Sequence, residues 1–254
     1  MKAFRDNHET APLVTAHLEI QLMIRSTTFT AALIAALATL ASTAHAALPF
    51  AEDFNLGDAN WRFSTSTALT PIGSGGPDSS AYVSRTFAFS TLSNSAATSA
   101  IVFRAHDEFN SSGVAYAGNW ASLGANKVSL YVRHSAPEAL VFNARFANPA
   151  NFPGASYYSA PVPANVWTPI TFDVTAGSAQ LADPTYEGTS YGFIMSNIGH
   201  IQFGVNIPAA LVGSTTPYTF DLDSVNVAVV PEPATAGLLA LGAGALGLAV
   251  RRRR

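Results

Sequence analysis

The feature that most constrains the fold is an alternation of apolar and polar side chains that recurs along residues 47–229. It is clearest in Tyr82–Phe89 and Lys127–Arg133, as expected for strands, whose successive side chains point to opposite faces of a sheet. Five further segments follow the pattern: 100–105, 139–146, 167–174, 201–207 and 218–229. Turn-forming residues separate these segments, and no interior segment shows a sustained helical period. The pattern predicts an all-β domain, an antiparallel two-sheet β-sandwich of about eight or nine strands.

A domain of this size buries enough apolar surface to fold without covalent cross-links. The sequence contains no cysteine, which excludes a disulfide scaffold, a Cys-ligated zinc ion and a thiol nucleophile. Charged residues make up 11% of the chain, and the net charge is -3. Because binding to a phosphate backbone depends on clustered Lys and Arg, this balance argues against nucleic acid as a partner.

The segment before the predicted sandwich is typical of a secretory signal peptide. Residues 29–41 form an Ala/Leu-rich apolar run that follows Arg25, and Ala44 and Ala46 supply the small side chains that signal peptidase requires. We therefore predict a signal peptide and signal helix over residues 23–46, cleaved after Ala46.

Residues 1–22 do not fit this prediction. They contain three acidic residues, Asp6, Glu9 and Glu19, whereas the leading part of a signal peptide is cationic. We expect translation to begin at Met23, which makes residues 1–22 an extension from a misplaced start.

The C-terminus carries a second localisation signal. A Pro-Glu-Pro tripeptide precedes a Gly/Ala/Leu-rich run over residues 234–250, and a cluster of arginines follows it. The run reaches the length of about 17–25 residues that a transmembrane helix requires. The arginines would remain cytoplasmic, which places the preceding domain outside. The residues of the tripeptide and the cluster are Pro231, Glu232, Pro233, Arg251, Arg252, Arg253 and Arg254.

This order of elements over residues 230–254 resembles the PEP-CTERM sorting signal of Gram-negative bacteria. The resemblance implies an exosortase as a processing partner, transient anchoring in the inner membrane and delivery to the cell envelope or extracellular space. Proteins with this signal are often associated with extracellular polysaccharide. An ordinary transmembrane anchor is the alternative.

Three segments of the predicted sandwich share the pattern of one fold family. Phe50–Asn55 followed by Trp61 is similar to its first strand, Trp167–Val174 to its recurrent segment of a Trp followed by an alternating strand, and Tyr218–Val227 to its last strand. The family is the galactose-binding-like jelly roll, the fold of many carbohydrate-binding modules. The resemblance implies that the exported domain, residues 47–229, contacts extracellular polysaccharide. A laminin-G or lectin-like jelly roll is the alternative.

The same resemblance implies a structural calcium ion where the first and last strands meet. The matching acids are Glu52 and Asp53 at the first strand and Asp221 and Asp223 in the last. Because Ca²⁺ takes about six to eight oxygen ligands, backbone carbonyls and water would complete the shell. Asp221 and Asp223 lie two residues apart and are predicted to point to one face. A solvated polar face without an ion is the alternative.

Loop aromatics are the candidates for carbohydrate binding, because sugars present C–H faces that stack on exposed rings. Trp61 and Trp167 lie beside predicted strands and are expected in the core. A binding module requires the loop aromatics to be exposed, whereas a purely structural surface protein would bury them. The candidates are Tyr116, Trp120, Tyr157 and Tyr158.

Catalytic motifs are weak. Gly188–Gly192 matches the G-x-S-x-G elbow around Ser190, but that elbow requires a strand before it and a helix after it, and the sequence predicts neither. His106-Asp107-Glu108 has the donor types of a zinc or iron site, with a solvated loop as the alternative. We therefore predict a non-catalytic exported protein, with a small polysaccharide-active enzyme as the alternative.

Overall fold

A computed structural model describes residues 50–64 and 67–229. Within these residues no helix has the length and apolar character needed to cross a membrane. The predicted extension, signal peptide, transmembrane helix and sorting motif lie outside the described residues. The predictions for Ala44, Ala46 and residues 230–254 are therefore not addressed by the fold.

The described residues form two antiparallel sheets. The six-stranded sheet has the order β2-β3-β10-β5-β8, and β1 pairs with β10 beyond the end of β3. Its strands are β1 Phe50–Glu52, β2 Thr70–Ile72, β3 Tyr82–Ala88, β5 Ala125–His134, β8 Thr168–Asp173 and β10 Pro217–Val229. The four-stranded sheet has the order β4-β9-β6-β7. Its strands are β4 Ser99–His106, β6 Leu140–Ala147, β7 Gly154–Val162 and β9 His200–Asn206.

Helical segments are short and lie in the connections. Asn119 caps α1 (Trp120–Leu123) by accepting a hydrogen bond from the Ser122 amide, and the left-handed Gly124 ends it. The second helix, α2, spans Tyr191–Met195. Single 3₁₀ turns occur at Phe89–Thr91, Asp107–Phe109, Ser111–Val114, Tyr186–Gly188 and Ala209–Leu211.

The two sheets enclose one apolar core. The rings of Phe172 in β8 and Phe203 in β9 stack across it with centroids 6.3 Å apart, and Trp61 lies 6.1 Å from Phe203 on the other side. Burying each such ring contributes about 1.5–3 kcal/mol. The all-β sandwich predicted from the alternation is therefore confirmed, whereas its assignment to the galactose-binding-like jelly roll stays a prediction.

Candidate ligand-binding face

Four polar residues stand in line across the four-stranded sheet. Arg104 in β4 is the register partner of Gln202 in β9, and Gln202 is also the partner of Arg145 in β6. Arg62 extends the line because it forms a bridge with Arg104 on the other side of β4. Directly paired residues point to the same side of a sheet. We call Arg62, Arg104, Gln202 and Arg145 the arginine row.

The arginine row faces away from the core. The strand neighbours Phe103, Ala144 and Ile201 are completely or almost completely buried in the apolar cluster. Because alternate residues of a strand point to opposite faces, the arginine row belongs to the other side. We call that side the outer face of the four-stranded sheet.

Arg145 is fully engaged in hydrogen bonds. Its Nε and Nη2 donate to the two carboxylate oxygens of Glu187 at 2.9 and 2.8 Å. Its Nη1 and Nη2 donate to the Oδ1 and main-chain oxygen of Asn151 at 3.0 and 2.8 Å. Since bidentate pairing fixes both partners, Arg145 fastens the segments that carry Asn151 and Glu187 to this face.

Arg62 and Arg104 have no such partners. The Nε atom of each is buried without a hydrogen bond, and neither forms a salt bridge within the described residues. Burial lowers the pKa of Arg104, because removal from water penalises the charged guanidinium. Of each guanidinium only Nε is a buried donor without a partner, and the guanidinium carbon of Arg62 lies 5.8 Å from the centre of the Phe109 ring. These two residues are therefore the unsatisfied donors of the outer face.

A second line of residues runs parallel to the arginine row. Gly204 in β9 is flanked by Ile101 in β4 and Asn143 in β6, and Asn143 is the partner of Tyr158 in β7. Tyr158 is 44% exposed, and Asn143 Nδ2 donates to the Oδ1 of Asn206 at 3.1 Å. Gly204 is buried at the centre of this line, where the Asn143 side chain and the Ala100 carbonyl oxygen fill the space beside it. We call Ile101, Gly204, Asn143 and Tyr158 the tyrosine row.

The other three predicted sugar-binding aromatics are buried in the core. Tyr116, Trp120 and Tyr157 are at most 1% exposed. Trp120 Nε1 donates to the Tyr116 carbonyl at 2.7 Å, and the hydroxyls of Tyr116 and Tyr157 donate to main-chain carbonyls. These rings fill the interior and satisfy their polar atoms there, so the structure corrects the expectation that they stack on sugar.

The two remaining tryptophans differ from each other. Trp61 is completely buried, as predicted. Trp167 was expected in the core but is half-buried on the outer face of the six-stranded sheet, where its Nε1 donates to the Gly75 carbonyl at 2.9 Å. The guanidinium of Arg133 lies 4.7 Å from its ring, so a cation–π contact takes the place of core packing.

The predicted calcium acids lie on adjacent strands but have separate partners. Phe50 of β1 pairs with Val227 of β10, so the first and last strands do meet. Glu52 accepts hydrogen bonds from the Phe54 amide and the Ser112 hydroxyl. Asp53 accepts from the amide and side chain of Asn55.

The two acids of the last strand point away from the core, as predicted. Asp221 Oδ2 accepts from Arg133 Nε at 2.8 Å, and Asp221 Oδ1 is buried without a hydrogen-bond partner. Asp223 is completely buried and accepts from the Ser80 hydroxyl at 2.5 Å and the Ser224 amide at 2.6 Å. Burial is the larger of the two effects that raise the pKa of Asp223, and repulsion by the Asp53 carboxylate is the other. The calcium ion expected at Glu52, Asp53, Asp221 and Asp223 stays a prediction.

Ser190 does not have the surroundings of a nucleophile elbow. A short helix, α2, does follow it, contrary to the sequence expectation, but a 3₁₀ turn and not a strand precedes it. Ser190 Oγ accepts from the Phe193 amide at 3.3 Å and caps that helix. This geometry gives Ser190 a structural role.

Comparison with known proteins gives its clearest result at the C-terminus. Residues 229–254 match the PEP-CTERM protein-sorting motif. The PEP-CTERM motif indicates export and sorting to the cell envelope, and it implies processing by an exosortase. The resemblance of residues 230–254 stated from the sequence is thereby confirmed, while the signal peptide and the membrane helix stay predictions. No curated protein matches the sequence.

Solved structures similar to the chain include proteins of carbohydrate metabolism. The CBM22-1 and GH10 modules of Clostridium thermocellum endo-1,4-β-D-xylanase 10B, complexed with xylohexaose, match 72% of this chain at 13% identity and a TM-score of 0.43. A family 30 carbohydrate-binding module matches 72% of this chain and 94% of its own length, at 9% identity and a TM-score of 0.41. An exo-β-agarase matches 71% of this chain at 11% identity and a TM-score of 0.46. The chain spans 28% of the xylanase structure and 24% of the agarase structure.

The sequence held a signal for the outer face that motif reasoning missed. Arg104, Asn143, Arg145 and Gln202 all occupy the polar positions of the alternating segments that become β4, β6 and β9. Polar residues on strands are usually solvated, so the alternation alone does not separate a ligand-binding face from an ordinary one. The pairing order of the strands is what brings these four residues together.

Proposed function

We propose that this chain is an exported, non-catalytic protein of the cell envelope that binds polysaccharide on the outer face of the four-stranded sheet. The observation that carries the proposal is the combination, on one face, of two unpaired guanidiniums and an exposed tyrosine. Guanidiniums donate several hydrogen bonds in a fixed plane, and the tyrosine ring offers an apolar surface for a sugar. A purely structural surface protein would not gain from leaving Arg62 and Arg104 unpaired.

The two guanidiniums also favour one kind of polysaccharide. Carboxylates pair with Arg in a bidentate geometry that hydroxyls do not match. The chain is negative overall, but the local field at this face is set by its nearest charges. We therefore assign acidic sugars, such as uronic acids, as the ligand class that Arg62 and Arg104 select.

Binding of the full-length chain to immobilised polysaccharides, neutral and uronic-acid-containing, tests this proposal. Tyr158→Ala and Arg104→Met should each lower affinity by about tenfold, which corresponds to about 1.4 kcal/mol. Tyr131→Ala is the matched control, because Tyr131 is a half-buried tyrosine of the six-stranded sheet. There it lies in β5 and pairs with Asp223 and Pro169. Equal affinities for all three variants would contradict the proposed face, and a preference for neutral chains would contradict the ligand class.

The enzyme alternative has its own measurement. Glycoside cleavage requires two carboxylates about 5–10 Å apart across the bond, and on this face Glu187 is held by Arg145 and by the Gly154 amide. We expect no new reducing ends when the chain is incubated with a polysaccharide that it binds. If the unchanged chain releases reducing ends and the Tyr158→Ala variant does not, the protein is an enzyme.

A further inference from the structure

Three potential metal ligands converge at one end of the outer face, beyond the arginine row. His106 is the last residue of β4, His200 is the first residue of β9, and the two are register partners. Their rings are in contact, with centroids 3.3 Å apart. One nitrogen of each ring and one carboxylate oxygen of Asp107 lie within 4.8 Å of one another.

The hydrogen bonding of His200 fixes which of its nitrogens is free. Its Nε2 lies 2.8 Å from the Pro149 carbonyl oxygen, which only accepts, so Nε2 carries the proton. Nδ1 then presents a bare lone pair, and this atom is buried with no hydrogen-bond partner. His200 itself is 1% exposed. Histidines that bind metal ions characteristically donate their other N–H to a backbone carbonyl or carboxylate in this way.

His106 and Asp107 add two more acceptors. The Glu108 amide donates to both His106 Nδ1 and Asp107 Oδ1, at 3.0 and 2.9 Å, and these two acceptor atoms lie 3.1 Å apart. A metal ion at His106 Nδ1 would replace the first of these two hydrogen bonds, and the amide would keep the second. His106 Nδ1 accepts a hydrogen bond and therefore carries a lone pair, as the neutral imidazole that binds a metal ion does.

The backbone is shaped to bring Asp107 close. A Cβ atom at Gly199 would lie 2.7 Å from the Cα of Pro149 and 2.9 Å from Asp107 Oδ2. Any larger residue there would push away either the carboxylate or the segment that orients His200. Gly199 therefore permits the approach of the third ligand.

We propose that His106, Asp107 and His200 bind a divalent transition-metal ion of the zinc class, with Pro149 orienting His200 as an outer partner. Two imidazoles and a carboxylate suit zinc, whereas calcium takes oxygen ligands only. Bonds of about 2.0–2.1 Å to tetrahedral corners place donor atoms about 3.3 Å apart. The three donors lie within 4.8 Å of one another, and a site with three protein ligands leaves the fourth position for water. The site is separate from the predicted calcium acids and does not depend on the proposed carbohydrate binding.

A calorimetric titration of the full-length chain with ZnCl₂, after the chain has been treated with a chelator, tests the site. We expect one Zn²⁺ to bind, with affinity lowered at least about 100-fold in His200→Gln and in Asp107→Asn. His8, His17 and His45 lie outside the described residues, so these two variants assign the binding to the proposed site. His134→Gln is the matched control, because His134 is also 1% exposed with an unpartnered Nδ1 and an Nε2 bonded to a carbonyl, that of Val162. Its affinity for Zn²⁺ should equal that of the unchanged chain.

Asp107→Asn keeps the test decisive where His200→Gln fails to fold. The Asp107 side chain is 28% exposed, and the amide oxygen of Asn still accepts from the Glu108 amide. With Co²⁺ in place of Zn²⁺, the visible spectrum should show four-coordinate bands without a thiolate charge-transfer band, since the chain has no cysteine. Zn²⁺ affinity in Asp107→Asn within twofold of that of the unchanged chain would overturn the proposal.

Discussion

At the scale of single residues, Asp223 is the carboxylate whose surroundings oppose its charge most directly. Burial raises its pKa, and the neighbouring Asp53 carboxylate raises it further, while hydrogen bonds from Ser80 and Ser224 act in the opposite direction. A carboxyl with a raised folded-state pKa holds its proton more tightly in the folded chain than in the unfolded chain. Its contribution to stability is therefore largest at acid pH and is lost as pH rises from about 3.9 through the folded pKa.

The raised pKa of Asp223 gives a prediction for the chain in the presence of a chelator. Between pH 4 and pH 7 the ionisation of Asp223 opposes the gain in melting temperature that the lowered pKa values of His106, His134 and His200 produce. Asp223→Asn, which cannot ionise, should therefore show a larger rise than the unchanged chain. Asp78→Asn is the control, because Asp78 is exposed in the neighbouring loop. A pH profile unchanged by Asp223→Asn would show that burial of this carboxylate carries no cost.

The same residue tests the calcium prediction. A bound cation favours the ionised carboxylate, so at pH 7 calcium should raise the melting temperature of the unchanged chain and leave that of Asp223→Asn unaffected. Calcium at about 100 times its dissociation constant would add about 2.7 kcal/mol to the free energy of unfolding. Equal melting temperatures of the unchanged chain in calcium and in chelator would contradict the predicted ion.

At the scale of elements, the pairing of β4 with β9 depends on Gly204. A Cβ atom there would lie 2.5 Å from the Ala100 carbonyl oxygen and 2.8 Å from Asn143 Oδ1. Gly204→Ala should therefore force β4 and Asn143 apart, lowering the free energy of unfolding by about 1–3 kcal/mol and weakening polysaccharide binding. Gly177→Ala, where a Cβ atom meets nothing within 4 Å, should change neither. Urea unfolding measures both effects, and equal stabilities would refute the close packing.

The elements also show where sequence reasoning succeeds. The seven strands predicted from alternation correspond to β3, β4, β5, β6, β8, β9 and β10, with ends within two residues. The prediction missed β7, Gly154–Val162, because its Tyr157-Tyr158 pair breaks the visible alternation and Pro161 signals a turn. That same pair contains one buried ring and one exposed ring, since neighbouring residues point to opposite faces.

Sequence reasoning fails where a site depends on strands that are distant in the chain. Tyr116 and Trp120 lie in a Gly/Ser-rich segment typical of surface loops, yet packing against Phe50 and Phe146 buries them. His106 and His200 meet only through the pairing of β4 with β9. Local pattern predicts which residues alternate but not which strands become neighbours, so neither burial nor convergence was available from the sequence.

At the scale of the whole molecule, the proposed polysaccharide binding would serve the cell envelope only after export. The PEP-CTERM motif of residues 229–254 supplies the sorting information, and the predicted signal peptide of residues 23–46 supplies entry to the export pathway. The two signals lie before and after the sandwich in the sequence.

The terminal arginines should decide whether sorting is completed. Under the positive-inside rule we expect them to hold the end of the chain in the cytoplasm while the motif is processed. Deleting Arg251–Arg254 should therefore leave the protein unprocessed or mislocalised, measured by protease accessibility on whole cells and by the size of the product. Replacing the same four residues by Lys preserves the charge and should preserve display, which separates an electrostatic stop from recognition of the guanidinium.

Glu232→Gln keeps the arginines and the apolar run intact, so a loss of processing in that variant would arise from the tripeptide itself. Unchanged size and surface display after both the deletion and Glu232→Gln would contradict exosortase sorting of this chain.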